Sequence, residues 1–354
     1  MIDTAVFATQ MTEMLKNKLN WLRDNPHPNI KFYGNQLQLK HPFSGKRWTI
    51  KISWYKNELL FESESLAKIV QGHNIYGTNN LHWLCMEIVR KVYEILGIEF
   101  SRHERQQMDN QNRGLGFRLI RVDVACSWRL QSKDVLASCI KEIYSQTRFS
   151  GGKWSAYGRD GEIETVYNAQ RSSRISDKFY NKARELLKHK IPTTVADKDW
   201  LLANVSSMLR FEATLRGKEL KRLLLDYSTD WSRAEVMTMI ATRLAKFKFT
   251  GMIKPILEPD EIAGLTSVQK TYYTLWRGGA KFYTTKDYPP LKNARNQLLD
   301  FGVDIFRSTK RGSLVSVADL LSTEKAIFAY PKSWVKKGVI VAPMRMTSQR
   351  NISS

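Results

Sequence analysis

Three side chains near the middle of the chain have the types needed for joint chemistry: the phenol of Tyr180 and the carboxylates of Asp123 and Glu212. A phenol has a pKa near 10, so it attacks a phosphate at neutral pH only with cations or a base beside it. Tyr180 ends an alternating segment and precedes a basic helix, which supplies nearby cations: Lys178, Lys182 and Arg184. This set predicts phosphoryl transfer on nucleic acid, with Tyr180 as nucleophile. Because the chain has 14 tyrosines, an amphipathic packing role for Tyr180 is the alternative.

Both carboxylates lie in segments that alternate apolar and polar residues, 119–128 and 208–215. Strand side chains alternate between faces, so Arg121 shares a face with Asp123, and Arg210 shares a face with Glu212. If the two strands are neighbours in one sheet, the carboxylates converge. Carboxylate oxygens suit Mg²⁺ or Mn²⁺, and such an ion polarises a scissile phosphate. The alternative is two Arg–acid salt bridges on a solvated face.

The sequence pattern around these residues predicts an α+β fold with an antiparallel sheet. Residues 7–22 have helical apolar spacing, and three alternating segments at 32–39, 47–55 and 58–64 predict a meander. Helices are expected at 66–70 and 81–96, and a hairpin at 154–167. Beyond Asp230 the pattern becomes mostly helical. The sequence therefore predicts a catalytic domain at 1–230 and an accessory domain at 231–354.

The charge indicates a polyanionic partner. The 354 residues include 56 Lys and Arg against 34 Asp and Glu, a net charge of +22, which draws a protein to phosphate backbones or anionic lipid. The sequence has neither an apolar run of the ~20 residues that span a bilayer nor a signal pattern, and no convincing basic amphipathic helix for a membrane surface. Three cysteines without metal-site spacing indicate neither a disulfide framework nor zinc. A cytosolic protein without membrane association is expected.

The C-terminal part carries a second DNA-binding candidate. A helix is expected at 266–277, a basic helix at 291–301 that presents Lys292 and Arg295, and a strand at 303–307. This order resembles a winged helix-turn-helix, which would read duplex DNA. An ordinary amphipathic helix with a solvated basic face explains the same pattern.

Four blocks in order along residues 31–221 resemble the gene II/X replication initiators of filamentous bacteriophages. The first is Gln71-Gly72-His73-Asn74, and the second is Arg121-Val-Asp123. The others are the tyrosine block, Tyr180-x-Lys182-x-x-Glu185-Leu186, and Leu209-Arg210-Phe211-Glu212-Ala213. All four blocks occur in the family's order and with similar spacing.

The resemblance implies a Rep-like antiparallel-sheet nicking domain and rolling-circle initiation. Tyr180 would nick one strand of double-stranded phage DNA at its origin, keep the 5′ phosphate and free a 3′ hydroxyl for a host polymerase. Lys182 or Arg184 would stabilise the developing charge, and the displaced single strand would later be rejoined. A host helicase, the bacterial cytoplasm and an oligomer on DNA are the implied setting.

The resemblance also places Mg²⁺ or Mn²⁺ on Asp123 and Glu212. The wider class of nicking initiators often carries a His-hydrophobe-His motif, which this sequence lacks, so a third ligand is expected from His73, Glu62 or Glu64. The basic residues near the acids complete the expected DNA-contacting set: Arg121, Arg210, Lys178, Lys292 and Arg295.

A non-catalytic basic origin-binding protein or repressor is the competing hypothesis. It accounts for the net charge of +22 and for the C-terminal helices. It does not account for two acids in a DNA-facing cleft, because acids repel phosphate unless a cation lies between them.

Overall fold

A computed structural model describes most of residues 1–247, with gaps at 43–47, 112–113, 149–152, 160–161 and 189–190. Beyond residue 247 it describes chiefly 259–278, 289–300, 315–328, 332–336 and 338–341, with a few isolated positions between them.

Ten antiparallel strands form one sheet in the order β2-β3-β4-β5-β1-β6-β10-β9-β8-β7. The α+β fold class with an antiparallel sheet is therefore confirmed. The strands are β1 (Ile2–Gln10), β2 (Ile30–Tyr33), β3 (Gln36–Lys40), β4 (Trp48–Tyr55), β5 (Glu58–Ser63), β6 (Arg118–Arg129), β7 (Trp154–Arg159), β8 (Glu162–Asn168), β9 (Ile175–Asn181) and β10 (Met208–Arg216). A separate pair is β11 (Met252–Ile253) and β12 (Val315–Ser316).

Two expectations for the N-terminal region were wrong. Residues 2–10 form a strand that pairs with β5 and β6, and the helix begins only at Glu13, where the Thr12 side chain caps it. Residues 32–39 are two strands joined by a tight turn, because Gly34 adopts a φ of +56°. The first change matters for function, since β1 brings Asp3 beside β6.

The helices are interspersed with the strands along the chain: α1 (Glu13–Asp24), α2 (Leu66–Gln71), α3 (Leu81–Leu96), α4 (Arg102–Gln111), α5 (Lys133–Arg148), α6 (Lys182–Lys188), α7 (Lys198–Asn204), α8 (Gly217–Leu223), α9 (Arg233–Leu244), α10 (Pro259–Ala263), α11 (Ser267–Arg277), α12 (Pro289–Asp300), α13 (Val317–Leu320) and α14 (Lys332–Lys336). In the described ranges none of them is long and apolar enough to cross a membrane.

One core lies on the apolar face of the central strands. Val122, Val124, Phe179 and Phe211 are fully buried there, with apolar residues from α1, α3, α5 and α9. A buried ion pair also fixes α9 to β9, since Arg243 Nε lies 2.9 Å from Asp177 Oδ1. The opposite face of the same strands carries the polar residues, so it is the face available for a site.

Packing continues across residue 230, where the composition predicted a domain boundary. Trp231 and α9 belong to the same core as the sheet, and so do Val317, Leu321 and Phe328. A separate apolar cluster lies within residues 257–305: Leu257, Leu265, Tyr273, Trp276, Leu291, Leu298, Val303 and Ile305. Residues 257–305, rather than the whole of 231–354, therefore have their own core.

Candidate active site

The polar face of β6, β10 and β9 brings the predicted residues together in rows. Arg210 pairs with Tyr180, Glu212 with Lys178, and Thr214 with Asp123. Because paired residues of neighbouring strands point to the same face, these side chains share one surface. The strands β6 and β10 are neighbours, which meets the condition under which the two Arg-x-acid segments were expected to share a face. This face is buried rather than solvated.

The Tyr180 phenol lies against Glu212. Its side chain is 4% exposed, and its hydroxyl donates to Glu212 Oε2 at 3.2 Å. Burial, and next the charge of Glu212, raise the pKa of Tyr180 well above its usual value. Lys178 binds the other Glu212 oxygen at 2.8 Å, and its ammonium lies 4.4 Å from the centre of the Tyr180 ring. A neutral phenol therefore donates its proton towards a carboxylate that is positioned to accept it.

Asp123 lies beneath Arg121. Its side chain is 2% exposed, whereas Arg121 is 41% exposed and donates to both of its oxygens, at 2.8 and 2.5 Å. Burial and the charge of Glu212 raise the pKa of Asp123 above its usual value despite that pairing. The two carboxylates therefore interact electrostatically, and an added positive charge would relieve their repulsion.

These carboxylates fit a hard divalent ion by donor chemistry. Both offer oxygen ligands on one face, and the charge of Glu212 contributes to the raised pKa of Asp123, as expected for two anions held close together. Within the described part of the chain, however, no three His, Cys, Asp or Glu side chains gather as a metal-binding group. The third ligand expected from the sequence is not assembled there.

His73, one candidate for that ligand, forms hydrogen bonds with backbone groups instead. Its Nε2 lies 2.7 Å from the Val339 carbonyl, which can only accept, so Nε2 carries the hydrogen. Its Nδ1 then accepts from the Ile75 N–H at 3.4 Å. Both ring nitrogens are occupied, which leaves no lone pair for a metal. The other two candidates are exposed: Glu62 lies on β5 opposite Lys51 of β4, and Glu64 directly follows β5.

The block around His73 connects three parts of the chain. Gly72 ends α2 with a φ of +83°, and Gln71 donates to the carbonyls of His73 and Tyr76 while its oxygen accepts from Val341 N–H. Asn74 donates to Asp3 at 2.9 Å and accepts from Lys182 at 2.7 Å. This block therefore joins β1, α6 and residues 338–341.

Lys182 is fully buried at the start of α6. Its ammonium donates to Asn74 and to Glu185, the latter at 2.6 Å. Burial lowers the pKa of Lys182 to about 7, and the charge of Arg210 acts in the same direction. Burial raises the pKa of Glu185, but the charges of Lys182 and Lys68 outweigh it and bring it to about 2. Lys182, 5.9 Å from the Tyr180 ring centre, is therefore able to change charge near neutral pH.

Arg210 was expected to contact DNA, and the structure gives it another partner. It is completely buried, and its guanidinium donates to Ser127 Oγ at 3.1 Å and to the carbonyls of Asn74 and Ile75. Its positive charge reaches Tyr180 and Asp3 without being accessible to a DNA backbone. Arg210 holds the 74–75 turn over the polar face.

The remaining predicted cations lie further out. Arg184 is half exposed and pairs with Glu162 at 3.4 Å and Glu164 at 3.6 Å, so it faces solvent rather than the phenol. Lys292 is exposed and Arg295 half-buried on α12, a helix that packs with α11. The strand expected at 303–307 falls largely outside the described residues.

Asp3 is the site residue that the sequence did not reveal. It is 5% exposed at an irregularity of β1, and its Oδ1 accepts from Ser65 Oγ and from Asn74, both at 2.9 Å. Burial raises the pKa of Asp3, but the charges of Arg210 and Lys182 outweigh it and hold it below the usual value. Because residues 7–22 have helical apolar spacing, the sequence predicted no strand at residues 2–10. It therefore did not place Asp3 beside Asp123.

We expect His73 to make the folded protein sensitive to mild acid. Burial lowers its pKa from 6.5 to about 4, so between these values the unfolded chain binds a proton that the folded chain does not. Stability then falls as pH falls through 6.5, by about 2 kcal/mol between pH 7 and pH 5. Urea unfolding of wild type and His73→Gln at both pH values measures this, because the glutamine donates without titrating. An equal pH effect in both proteins would contradict it.

Comparisons with known proteins show which family this chain belongs to. Residues 25–234, more than half of the chain, match the family model for the N-terminal part of the gene II-type phage replication-associated protein. The replication-associated protein of this type from Enterobacteria phage I2-2 is 24% identical over 275 residues, which cover 75% of each protein. The structure of a rolling circle replication initiator protein from Geobacillus stearothermophilus aligns at 14% identity over 84% of this chain and 95% of that chain, with a TM-score of 0.29. That TM-score does not establish a common fold. The family match does establish kinship, and the chain belongs to the gene II-type replication-associated protein family that its four sequence blocks resembled.

Proposed function

We propose that this chain nicks one strand of double-stranded phage DNA at a replication origin and becomes attached to the 5′ end through Tyr180. The observation that carries the proposal is the 3.2 Å hydrogen bond from the Tyr180 hydroxyl to Glu212. A nucleophile that donates to a base, with further groups orienting that base, is the arrangement that activates a weak nucleophile. Lys178 supplies this orientation in the metal-free site by binding the second Glu212 oxygen, and the divalent ion would take over that role.

The transfer balances as a substitution at phosphorus. Glu212 takes the phenolic proton, the Tyr180 oxygen forms a bond to phosphorus, and the bond to the 3′ oxygen breaks. The released 3′ oxygen takes a proton from solvent. While protonated, Lys182 would add positive charge beside Tyr180, where negative charge develops at the phosphate. Arg184 would contact DNA outside this centre.

Asp123 and Glu212 would hold the divalent ion, Mg²⁺ or Mn²⁺, that such initiators use. When bound, the ion would neutralise phosphate oxygens as charge develops on them. Asp123 is covered by Arg121 and Glu212 by Lys178, so both cations would turn towards the DNA backbone as the ion takes their place. Arg121 and Lys178 are therefore retained as proposed DNA contacts, with Lys292 and Arg295 as proposed contacts on α12.

The same site run in reverse would rejoin the displaced strand. A 3′ hydroxyl attacks the phosphotyrosine and loses its proton to solvent. The bond between phosphorus and the Tyr180 oxygen breaks, and Glu212 returns the phenolic proton. The displaced single strand, a host polymerase and a host helicase in the bacterial cytoplasm would complete the cycle. An oligomer on the origin is compatible with this scheme.

A non-catalytic origin-binding protein is the second candidate, and divalent ions separate the two. We expect EDTA to reduce nicking of supercoiled origin DNA by about 100-fold or more, because a metal contributes several kcal/mol to such a step. Binding of the same DNA should instead weaken with added salt and change little with EDTA, as counterion release predicts. DNA that the protein shifts in a gel but leaves uncut with Mg²⁺ and with Mn²⁺ would support the hypothesis of a non-catalytic binding protein.

A further inference from the structure

Two tyrosines extend the active-site face towards the edge of the sheet. Tyr157 on β7 is 54% exposed, and Tyr167 on β8 is half-buried. Their ring centres lie 5.5 Å apart at an angle of 86°, an edge-to-face pair. We call Tyr157 and Tyr167 the tyrosine platform. Neither residue has a role in the proposed phosphoryl transfer.

The strand register connects this platform to the nucleophile. Tyr157 pairs with Thr165, which pairs with Tyr180, so all three side chains share a row and a face. Tyr167 pairs with Lys178 in the adjacent row. With strands about 4.8 Å apart, Tyr157 lies about 10 Å from Tyr180 along the row. A phosphate at Tyr180 would therefore place its neighbouring nucleotides over the platform.

Local contacts orient the platform, and its surroundings are basic. The Tyr157 hydroxyl donates to Gln170 Oε1 at 3.1 Å, and Ser155 donates to the same oxygen at 3.4 Å. Exposed cations lie at the two ends of β7 and in the turn after β8: Lys153, Arg159 and Arg171. The exposed acid at the start of β8, Glu162, pairs with Arg184. An oriented aromatic surface with cations around it suits a phosphate-bearing partner that offers flat rings.

We propose that Tyr157 and Tyr167 stack with unpaired bases of single-stranded DNA next to the phosphate that Tyr180 attacks. The position of that phosphate rests on the proposed function, whereas the stacking itself does not. Unpaired bases are the fitting occupant because every base has a π face, while paired bases in a duplex are already stacked. The platform would thus hold the strand open beside the nick without reading its sequence.

Fluorescence anisotropy with a labelled, mixed-sequence single-stranded oligonucleotide tests the stacking. Tyr157→Leu should weaken binding roughly 5- to 150-fold, the range for loss of one base–aromatic contact. Tyr157→Phe keeps the ring and should stay within about twofold of wild type. Tyr55→Leu is the matched control, because Tyr55 is 74% exposed but lies on β4, across the sheet. Unchanged binding by Tyr157→Leu, or an equal loss in Tyr157→Phe, would overturn the proposal.

A second measurement covers the case in which Tyr157→Leu disturbs the β7–β8 hairpin. Wild-type protein bound to a 5-iodouracil oligonucleotide is irradiated and digested, and the cross-linked peptide is identified. We expect cross-links within residues 154–168, and cross-links confined to other regions would refute the platform. Stacking without any nicking would leave the platform standing and remove the proposed function. If Tyr157→Leu binds the oligonucleotide as wild type does and the protein still nicks DNA, the proposed function stands and the platform is refuted.

Discussion

Tyr180→Phe is expected to abolish the covalent protein–DNA adduct and to lower nicking on the order of 10⁴-fold or more. The substitution removes only the oxygen that would bond to phosphorus, so the covalent step loses its nucleophile. The ring, its packing and the Lys178 ammonium 4.4 Å from its centre remain. The measurement is nicking of supercoiled origin DNA with Mg²⁺ or Mn²⁺, stopped with detergent.

The matched control is Tyr76→Phe. Tyr76 is also buried, at 5% exposure, but it packs against Trp334 in the neighbouring apolar cluster rather than against Glu212. This variant should nick and form the adduct at a rate close to wild type. An adduct that persists in Tyr180→Phe would mean that another residue is the nucleophile.

Asp123→Asn is expected to reduce nicking about 100-fold or more while duplex binding stays equal or becomes stronger. The substitution removes one of the two anions that would hold the divalent ion, and it removes a negative charge that repels DNA. Raising the Mn²⁺ concentration should restore part of the activity, because the defect is in ion affinity. Nicking rates measured over a range of ion concentrations, beside a gel-shift titration, test both parts.

Folding should survive this substitution, since burial and Glu212 already make the Asp123 charge unfavourable. Glu62→Gln is the control, because Glu62 is an exposed acid on the same sheet and a ligand candidate by sequence alone. Unfolding of Asp123→Asn, or an equal loss in Glu62→Gln, would contradict the assignment of Asp123.

The sequence was sufficient to predict the parts of the structure that the alternation of apolar and polar residues decides. Apolar and polar residues alternate in 119–128 and 208–215, so the faces of Asp123 and Glu212 followed from the period of two. Tyr180 near the end of its strand and the helix that begins at Lys182 followed from the change to helical spacing. These local patterns predicted which side chains share a face of each strand, whereas the pairing of β6 with β10 came from the structure.

The sequence was insufficient where long-range packing decides. Burial of Arg210 depends on the turn at 74–75, which lies more than 130 residues earlier in the chain. The role of His73 depends on Val339, 266 residues later. Asp3 enters the site because residues 2–10 pair between β5 and β6, and that pairing overrides the helix-like spacing that starts at Phe7. No local pattern contains these contacts.

The proposed nicking reaction leaves Tyr180 joined to the 5′ end of the nicked strand. The most direct measurement isolates the wild-type adduct formed on origin DNA with Mg²⁺ or Mn²⁺, digests both components and locates the nucleotide-bearing peptide by mass spectrometry. We expect one modified peptide, with the nucleotide on Tyr180. A nucleotide on any other residue would contradict it.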